Sequence, residues 1–350
     1  MDEPAPAPPP ELVQIVLEVT YKCTHDCIFC YNCWKHEYPV APELTTAQFE
    51  GVLSRFPQCR QVSLSGGEPL LRPDIIEIVK AARKRARLVS LLTTGELLTP
   101  GLADALGRLG VFLQIPIHGT EATHESLTRR RGSYRRALEA MALLAERRMP
   151  FGTSTVVMKQ NLRELPAILE LSAAMGACEN ISIRFLQGGE GMKRPEQVLS
   201  REDAVLMLKA LDRAAGKLGI RTALGVPNLP CVIDEKPFRR VNFGQCGAGV
   251  DWFTVDPSGR MRICNHSPTI LGDLTRQGFA ELWRHPVLVA MRSGGCVPGE
   301  CAGCERVSKC KGGCRAAGET LCGSLSAPDP LFSHRPFPGP AHHGARPPGR

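Results

Sequence analysis

The sequence predicts an α/β fold built on a parallel sheet, followed by a small cysteine-rich domain. Three observations carry this reading. Between about residues 12 and 225, short apolar runs alternate with amphipathic stretches of helical period. Strands joined by helix-length connections run parallel, with right-handed crossovers. From about residue 240 cysteine and glycine become dense and the helical patterns shorten. The length, 350 residues, leaves room for one large domain and a smaller one.

Taken in order, residues 1–10 are rich in Pro and Ala and read as a disordered tail, without the charged and apolar blocks of a signal peptide. The α/β domain spans 11–225. Its candidate strands are Ile15–Tyr21, Gln61–Ser65, Leu88–Thr93, Val111–Ile117, Gly152–Met158 and Ile181–Leu186. Between them the helical period of about 3.6 residues runs through Thr46–Arg55, Ile75–Ala86, Ser133–Arg148 and Leu165–Met175. Residues 226–243 read as a linker, 244–326 as the cysteine-rich domain and 327–350 as a Pro-rich disordered tail. The second domain is too poor in apolar residues to be held by a core alone, so metal ligation is expected to hold it. No stretch approaches the ~20 apolar residues of a membrane span, and a cytoplasmic protein is expected. A net charge of +8 is modest. The runs Arg83–Arg85 with Arg87 and Arg129–Arg131 read as solvated faces, with attraction of an acidic substrate the alternative, and no nucleic-acid partner is expected.

Fifteen cysteines is the unusual number. It is odd, no export signal accompanies it, and the spacings are CxxC-like, which favours metal or cluster ligation over disulfides. Directly after the first strand, Cys23, Cys27 and Cys30 form C-x3-C-x2-C, with Phe29 before the third. Three thiolates from one loop suit a four-iron cluster with one iron left open. Two other readings of the loop stand beside this one. A zinc site could be completed by His25 or Cys33; a ferredoxin-like run from Cys27, Cys30 and Cys33 would need its fourth cysteine at Glu37.

Further motifs fall at strand ends, where ligands bind in such sheets. Ser65-Gly66-Gly67-Glu68-Pro69 ends the second strand, with paired glycines that permit close backbone approach and a carboxylate able to accept from an ammonium. Taken alone it is equally a tight turn. Thr93-Thr94-Gly95 ends the third strand and Ile115-Pro116-Ile117-His118-Gly119 the fourth. Thr155, Asn161 and Arg184 read as structural hydrogen-bonders. Towards the carboxyl end come Cys246, the G-x4-C of Gly259 to Cys264, the series Cys301-x2-Cys304-x5-Cys310-x3-Cys314, and Cys322. Structural zincs are the plain alternative for that series. Cys33, Cys59 and Cys178 fit no spacing and read as ordinary thiols.

The cysteine loop together with Gly66-Gly67-Glu68 resembles the signature of the radical S-adenosylmethionine (SAM) enzymes, and the seven later cysteines resemble the SPASM domain. The resemblance implies a partial (β/α)6 TIM-like barrel plus a small cysteine-rich auxiliary-cluster domain. It implies a [4Fe-4S] cluster on Cys23, Cys27 and Cys30 whose open iron binds SAM, with Gly66, Gly67, Glu68, Thr93, Thr94 and His118 contacting SAM. A Ser often stands at the position of His118 in the family. By the same analogy two auxiliary iron–sulfur clusters are expected. Cys301, Cys304, Cys310 and Cys322 would hold the outer one. Cys246, Cys264 and Cys314 would hold the inner one, with Cys231 or Cys296 a candidate fourth ligand, or one iron left open.

Family members mostly modify peptides. The implied activity is that of a radical SAM oxidoreductase cleaving SAM to a 5′-deoxyadenosyl radical and cross-linking or oxidising a peptide or protein. A separate peptide-binding protein and an electron donor such as flavodoxin or ferredoxin would be partners. Cys264 is followed by Asn265 where sulfatase-maturing relatives carry an aspartate base, and an amide side chain does not titrate as one. The sequence singles out no other acid or base. Gly312–Ala316 and Asp329–Leu331 resemble haem- or porphyrinoid-processing relatives, the second enzymatic reading. A non-catalytic iron–sulfur or zinc protein is the third.

Overall fold

The computed structural model describes residues 8–9, 11–32 and 41–332. Cys33 and the segments 1–7 and 333–350 lie outside the described residues. Eight parallel strands follow one another across the sheet in chain order: β1 (Glu11–Glu18), β2 (Gln58–Ser65), β3 (Ala86–Leu92), β4 (Val111–Pro116), β5 (Phe151–Val157), β6 (Glu179–Arg184), β7 (Arg221–Leu224) and β8 (Val241–Phe243). Between them lie α1 (Thr46–Ser54), α2 (Ile75–Arg83), α3 (Pro100–Arg108), α4 (Glu121–Thr128), α5 (Ser133–Glu146), α6 (Leu165–Ala174) and α7 (Arg201–Leu218). On the free side of β1 the sheet continues. β9 (Trp252–Val255) pairs parallel with β1, and β10 (Arg260–Arg262) and β11 (Ile270–Asp273) follow antiparallel. The cysteine-rich remainder holds α8 (Phe279–Leu282), α9 (Pro286–Ser293), α10 (Val307–Cys310) and α11 (Arg315–Cys322).

Period-two alternation explains the layers. In register across β1–β3, Ile15, Leu17, Val62, Leu64, Val89 and Leu91 are buried and share one core with Phe49, Leu53, Ile75 and Ile78 of α1 and α2. The alternate positions Gln14, Glu18, Ser63, Ser65 and Ser90 line the opposite face, where Gln14 and Gln61 donate to Ser63 at 2.7 and 2.9 Å. A sheet with one oily and one hydrogen-bonded polar face is a barrel wall with a usable interior. Capping boxes start α1 (Thr45 with Gln48) and α7 (Ser200 with Asp203), which satisfies the first-turn amides.

The six expected strands and four expected helices are all present, with no end shifted by more than four residues. β1 stops at Glu18 because Thr20 and Tyr21 turn aside, Thr20 Oγ1 and Tyr21 N both donating to Glu43 Oε1 at 2.8 Å. Three differences matter for the site. The stretch read as linker contributes β8 and extends the sheet. The expectation that the second domain lacks a core fails for its first half: Phe253, Val255, Met261, Leu271, Phe279, Leu282 and Trp283 belong to the main hydrophobic core. Apolar poverty holds only beyond about residue 295. The tail expected from 327 is packed as far as 332, with Asp329 and Leu331 buried.

Candidate active site

The cysteine loop leaves the carboxyl end of β1 and is held by backbone from two directions. Asp26 N donates to Thr128 O at 3.2 Å and Ile28 N to Leu127 O at 2.9 Å, which ties the loop to the end of α4. Glu190 N donates to Cys30 O at 3.0 Å from the far side. Cys23, Cys27 and Cys30 are each half-buried. Arg129 and Arg130 remain solvent-facing and are ion-paired: Arg129 reaches Asp26 at 3.0 Å, and Arg130 reaches Glu96 at 2.6 Å. Glu96 in turn faces His25 Nε2 at 3.4 Å. Burial pushes the His25 pKa down, against the pull of Glu96.

Gly66, Gly67 and Glu68 lie against this loop, and their geometry revises the reason for two glycines. Gly66 has φ +128°, and a Cβ on Gly67 would sit 1.9 Å from Lys22 O. The close approach is therefore to the backbone leading into Cys23, and it lets Gly67 N and Glu68 N donate to Thr20 O and Lys22 O at 2.8 and 2.7 Å. Glu68 is fully buried and accepts from Thr93 Oγ1 (2.6 Å), Thr94 N (2.7 Å) and Leu70 N (3.0 Å). Burial raises its pKa, and these donors oppose the rise. One carboxylate thus joins the ends of β2 and β3 beside the cysteines. The Thr94 side chain adds to these donors, so the carboxylate is held on several sides at the edge of the cysteine loop. Glu68→Ala strands three buried donors and is expected to lower stability by about 2–4 kcal/mol, read by anaerobic denaturation. The same variant should bind SAM more weakly by about 1.5–3 kcal/mol. Lost stability with unchanged SAM affinity would make Glu68 a structural residue only.

His118 is buried, its Nδ1 accepting from Val156 N at 3.2 Å, and Phe29 meets its ring edge-on at 4.5 Å. Burial holds its pKa well below the usual value, so the ring is neutral, with the proton on Nε2. Cys23, Cys27, Cys30, Glu68, Thr93, Thr94 and His118 are thus gathered at the carboxyl ends of β1–β4.

The later cysteines divide into two sets. Cys246, Cys264 and Cys314 line one small cavity together with His266 and Trp252. Burial pushes all three thiols up, Cys314 to about 12; charge on Cys314 and Cys246 adds to the rise at Cys264, and Asp329 and Cys246 add to it at Cys314. Desolvated thiols held together in this way fit a group that brings positive charge, because coordination deprotonates them. The second set surrounds α10: Cys301, Cys304 and Cys310 belong to consecutive tight turns, with Cys304 N donating to Cys301 O at 3.1 Å and Cys310 N to Arg306 O at 3.0 Å. Cys322 ends α11 and is exposed. Cys296 lines a separate cavity with Cys246. Arg315 binds the knot through carbonyls, donating to Leu325 O and Ala327 O at 3.0 and 2.9 Å and also to Gly312 O.

Sequence reasoning missed what lies between the cysteine loop and the inner set. Tyr31, next to Cys30, packs against His266, two residues past Cys264, with ring centroids 4.6 Å apart. Burial pushes the Tyr31 phenol up to about 12; its hydrogen-bond partners are Asn265 and Ser65. Arg262 Nη2 donates to Glu18 at 2.5 Å, both side chains wholly buried. Arg184, read as a structural hydrogen-bonder, pairs with Asp329 at 2.8 Å. Each partner is separated in sequence by more than a hundred residues, and no local pattern announces such pairs.

A strand-end cysteine loop, a Gly-Gly-Glu clamp beside it and a second array of buried thiols define an iron–sulfur enzyme built on a partial parallel barrel. The Radical SAM superfamily model matches residues 17–172 and an iron-sulfur cluster-binding domain model, SPASM, matches residues 246–311, together more than half of the chain. The chain belongs to the radical SAM superfamily and carries a SPASM domain. It is a radical SAM enzyme, with an iron–sulfur cluster and SAM as cofactors. It is 29% identical over 344 residues to a PqqA peptide cyclase of Gluconobacter oxydans, covering 95% of this chain and 92% of that one. It is 27% identical over 339 residues to an AdoMet-dependent heme synthase of Methanosarcina barkeri, covering 92% and 96%. Among solved structures, anSMEcpe with bound AdoMet superposes with TM-score 0.71 at 16% identity, over 91% of this chain and 93% of that one. Streptococcus suis SuiB bound to S-adenosylmethionine gives 0.74 at 13% identity, over 91% and 77%. These two likenesses bear on the fold.

Proposed function

We propose that this enzyme oxidises or cross-links a peptide or protein substrate, with Cys23, Cys27 and Cys30 holding the SAM-binding cluster. The observation that carries the reading is the meeting of Tyr31 and His266, which brings the cysteine loop and the inner cysteine set to one polar interior. Held on a reduced cluster, SAM supplies a carbon radical able to abstract hydrogen, and that chemistry is the cofactor's. The residues position it. Glu68 would accept from the SAM ammonium, Gly66 and Gly67 keep that carboxylate beside the loop, and Thr93 and Thr94 hold it in place. Thr93 and Thr94 are themselves bound to Glu68, so their part in SAM binding is largely indirect. His118 fixes Phe29 and with it the third cysteine. Cys246, Cys264 and Cys314 would hold an inner auxiliary cluster, which could accept an electron from the substrate; an outer cluster would belong to the knot around α10. The PqqA peptide cyclase relative supports a peptide substrate. A separate peptide-binding protein and a flavodoxin or ferredoxin complete the system.

The second reading, porphyrinoid processing, is favoured by one finding: the heme synthase relative is matched over nearly its whole length. Neighbouring genes separate the two, by encoding a short precursor peptide or tetrapyrrole enzymes. The direct test uses anaerobically reconstituted protein with SAM, reductant and the peptide so identified, read by mass spectrometry of the peptide. Cys264→Ala should still release 5′-deoxyadenosine yet give no modified peptide. Product at the wild-type rate would remove the electron-relay role from the inner set. Iron and sulfide should reach about twelve each per chain, three four-iron clusters; stoichiometric zinc in their place would overturn the cluster assignments.

A further inference from the structure

We propose that Cys231, and not Cys322, is the fourth ligand of the outer cluster, alongside Cys301, Cys304 and Cys310. The inference rests on the reading that the knot around α10 holds an iron–sulfur cluster, and departs from the motif order, which takes the outer ligand from beyond Cys314.

Four observations place Cys231 there. It stands at the exposed tip of a tight turn whose base is locked: Val232 N and Ile233 N both donate to Leu229 O at 2.9 Å, and Leu229 and Ile233 are buried. The turn is fastened onto the knot itself. Arg306, between Cys304 and Cys310, donates to Pro230 O at 2.8 Å. A Cβ on Gly313 would meet the Leu229 side chain at 2.7 Å. Pro230, Arg306, Lys309 and Cys310 line one cavity of about 370 Å³.

Cys322 fails the same tests. It lies eight residues past Cys314 on a continuous helix, roughly 12 Å further along the axis. That helix runs out of the knot. Glu319 accepts from Ser267 at 2.6 Å, and the Thr320 side chain lies 3.8 Å from where a Cβ on Gly188 would stand.

Both thiols are exposed in the protein alone, so accessibility to an alkylating reagent reports ligation directly. Reconstituted wild-type protein is pulsed anaerobically with iodoacetamide, with and without prior removal of iron by a chelator, and labelled cysteines are located by peptide mass spectrometry. A ligated thiolate is not available as a nucleophile. Cys231 should label on the order of tenfold more slowly in the loaded protein than in the stripped one, and Cys322 at the same rate in both. If Cys231 labels equally fast in both while Cys301, Cys304 and Cys310 are protected, the ligand assignment is wrong and the cluster stands. If none of the four is protected, the knot holds no cluster and the underlying reading fails. Cys231→Ala should also lose about one third of the iron, and Cys322→Ala none; the reverse pattern would restore Cys322.

Discussion

Cys30→Ala should reduce 5′-deoxyadenosine release to background and remove about four of about twelve irons, while the chain remains folded. Three thiolates from one loop are the minimum that holds a cubane with one iron open, so deleting one leaves a cluster that cannot present that iron to SAM. The fold should survive because the loop is fastened by backbone. Cys30 O accepts from Glu190 N at 3.0 Å, Cys30 N donates to Cys27 O at 3.2 Å, and Ile28 N reaches Leu127 O at 2.9 Å, none of which involves the thiol. The measurement is chromatographic assay of deoxyadenosine under strong reductant, beside iron analysis and circular dichroism. Wild-type release from Cys30→Ala would move the SAM-binding cluster elsewhere in the chain. Release lost together with native circular dichroism would show the thiol, or its cluster, to be structural as well.

What was legible beforehand is what chemistry packs into short spacings. The cysteine loop, Gly66–Glu68 and the Cys301–Cys314 series each lie within a few residues, because one loop supplies several ligands or donors. Strand–helix alternation gave the parallel order β1 to β6 for a similar reason, since each unit is local. The functions of individual atoms were less legible. Gly67 was expected to admit a ligand and instead admits Lys22 O; Glu68 was expected to face SAM and is also a staple for β3. Long-range pairs were invisible: Glu18 with Arg262 and Arg184 with Asp329 depend on which strands become neighbours. Cys231 was invisible as a partner of Cys310 for the same reason. It stands alone in a Pro-rich stretch with no second cysteine at a ligand spacing, and only the folded turn brings it to the knot.

Asp329→Asn should destabilise the protein by about 3–5 kcal/mol, the scale for breaking a buried ion pair on one side. Asp329 is wholly buried, and its Oδ2 accepts from Arg184 Nη2 at 2.8 Å and from Cys314 N at 2.9 Å, while Oδ1 accepts from Leu331 N at 2.9 Å. Asparagine matches the shape but leaves the Arg184 guanidinium, at the end of β6, buried without its counter-charge. Its amide nitrogen would also face a donor at one of the two positions. The same carboxylate orients the backbone of Cys314, so iron held by the inner set should become easier to remove as well. Arg184→Met with Asp329→Leu, which takes out both charges, should recover part of the loss because no charge is stranded. Anaerobic denaturation of the reconstituted variants, with chelator-release rates measured beside it, checks both halves. A loss below about 1 kcal/mol for Asp329→Asn, the scale of an exposed pair, would show that this ion pair does not hold the cysteine knot against the barrel.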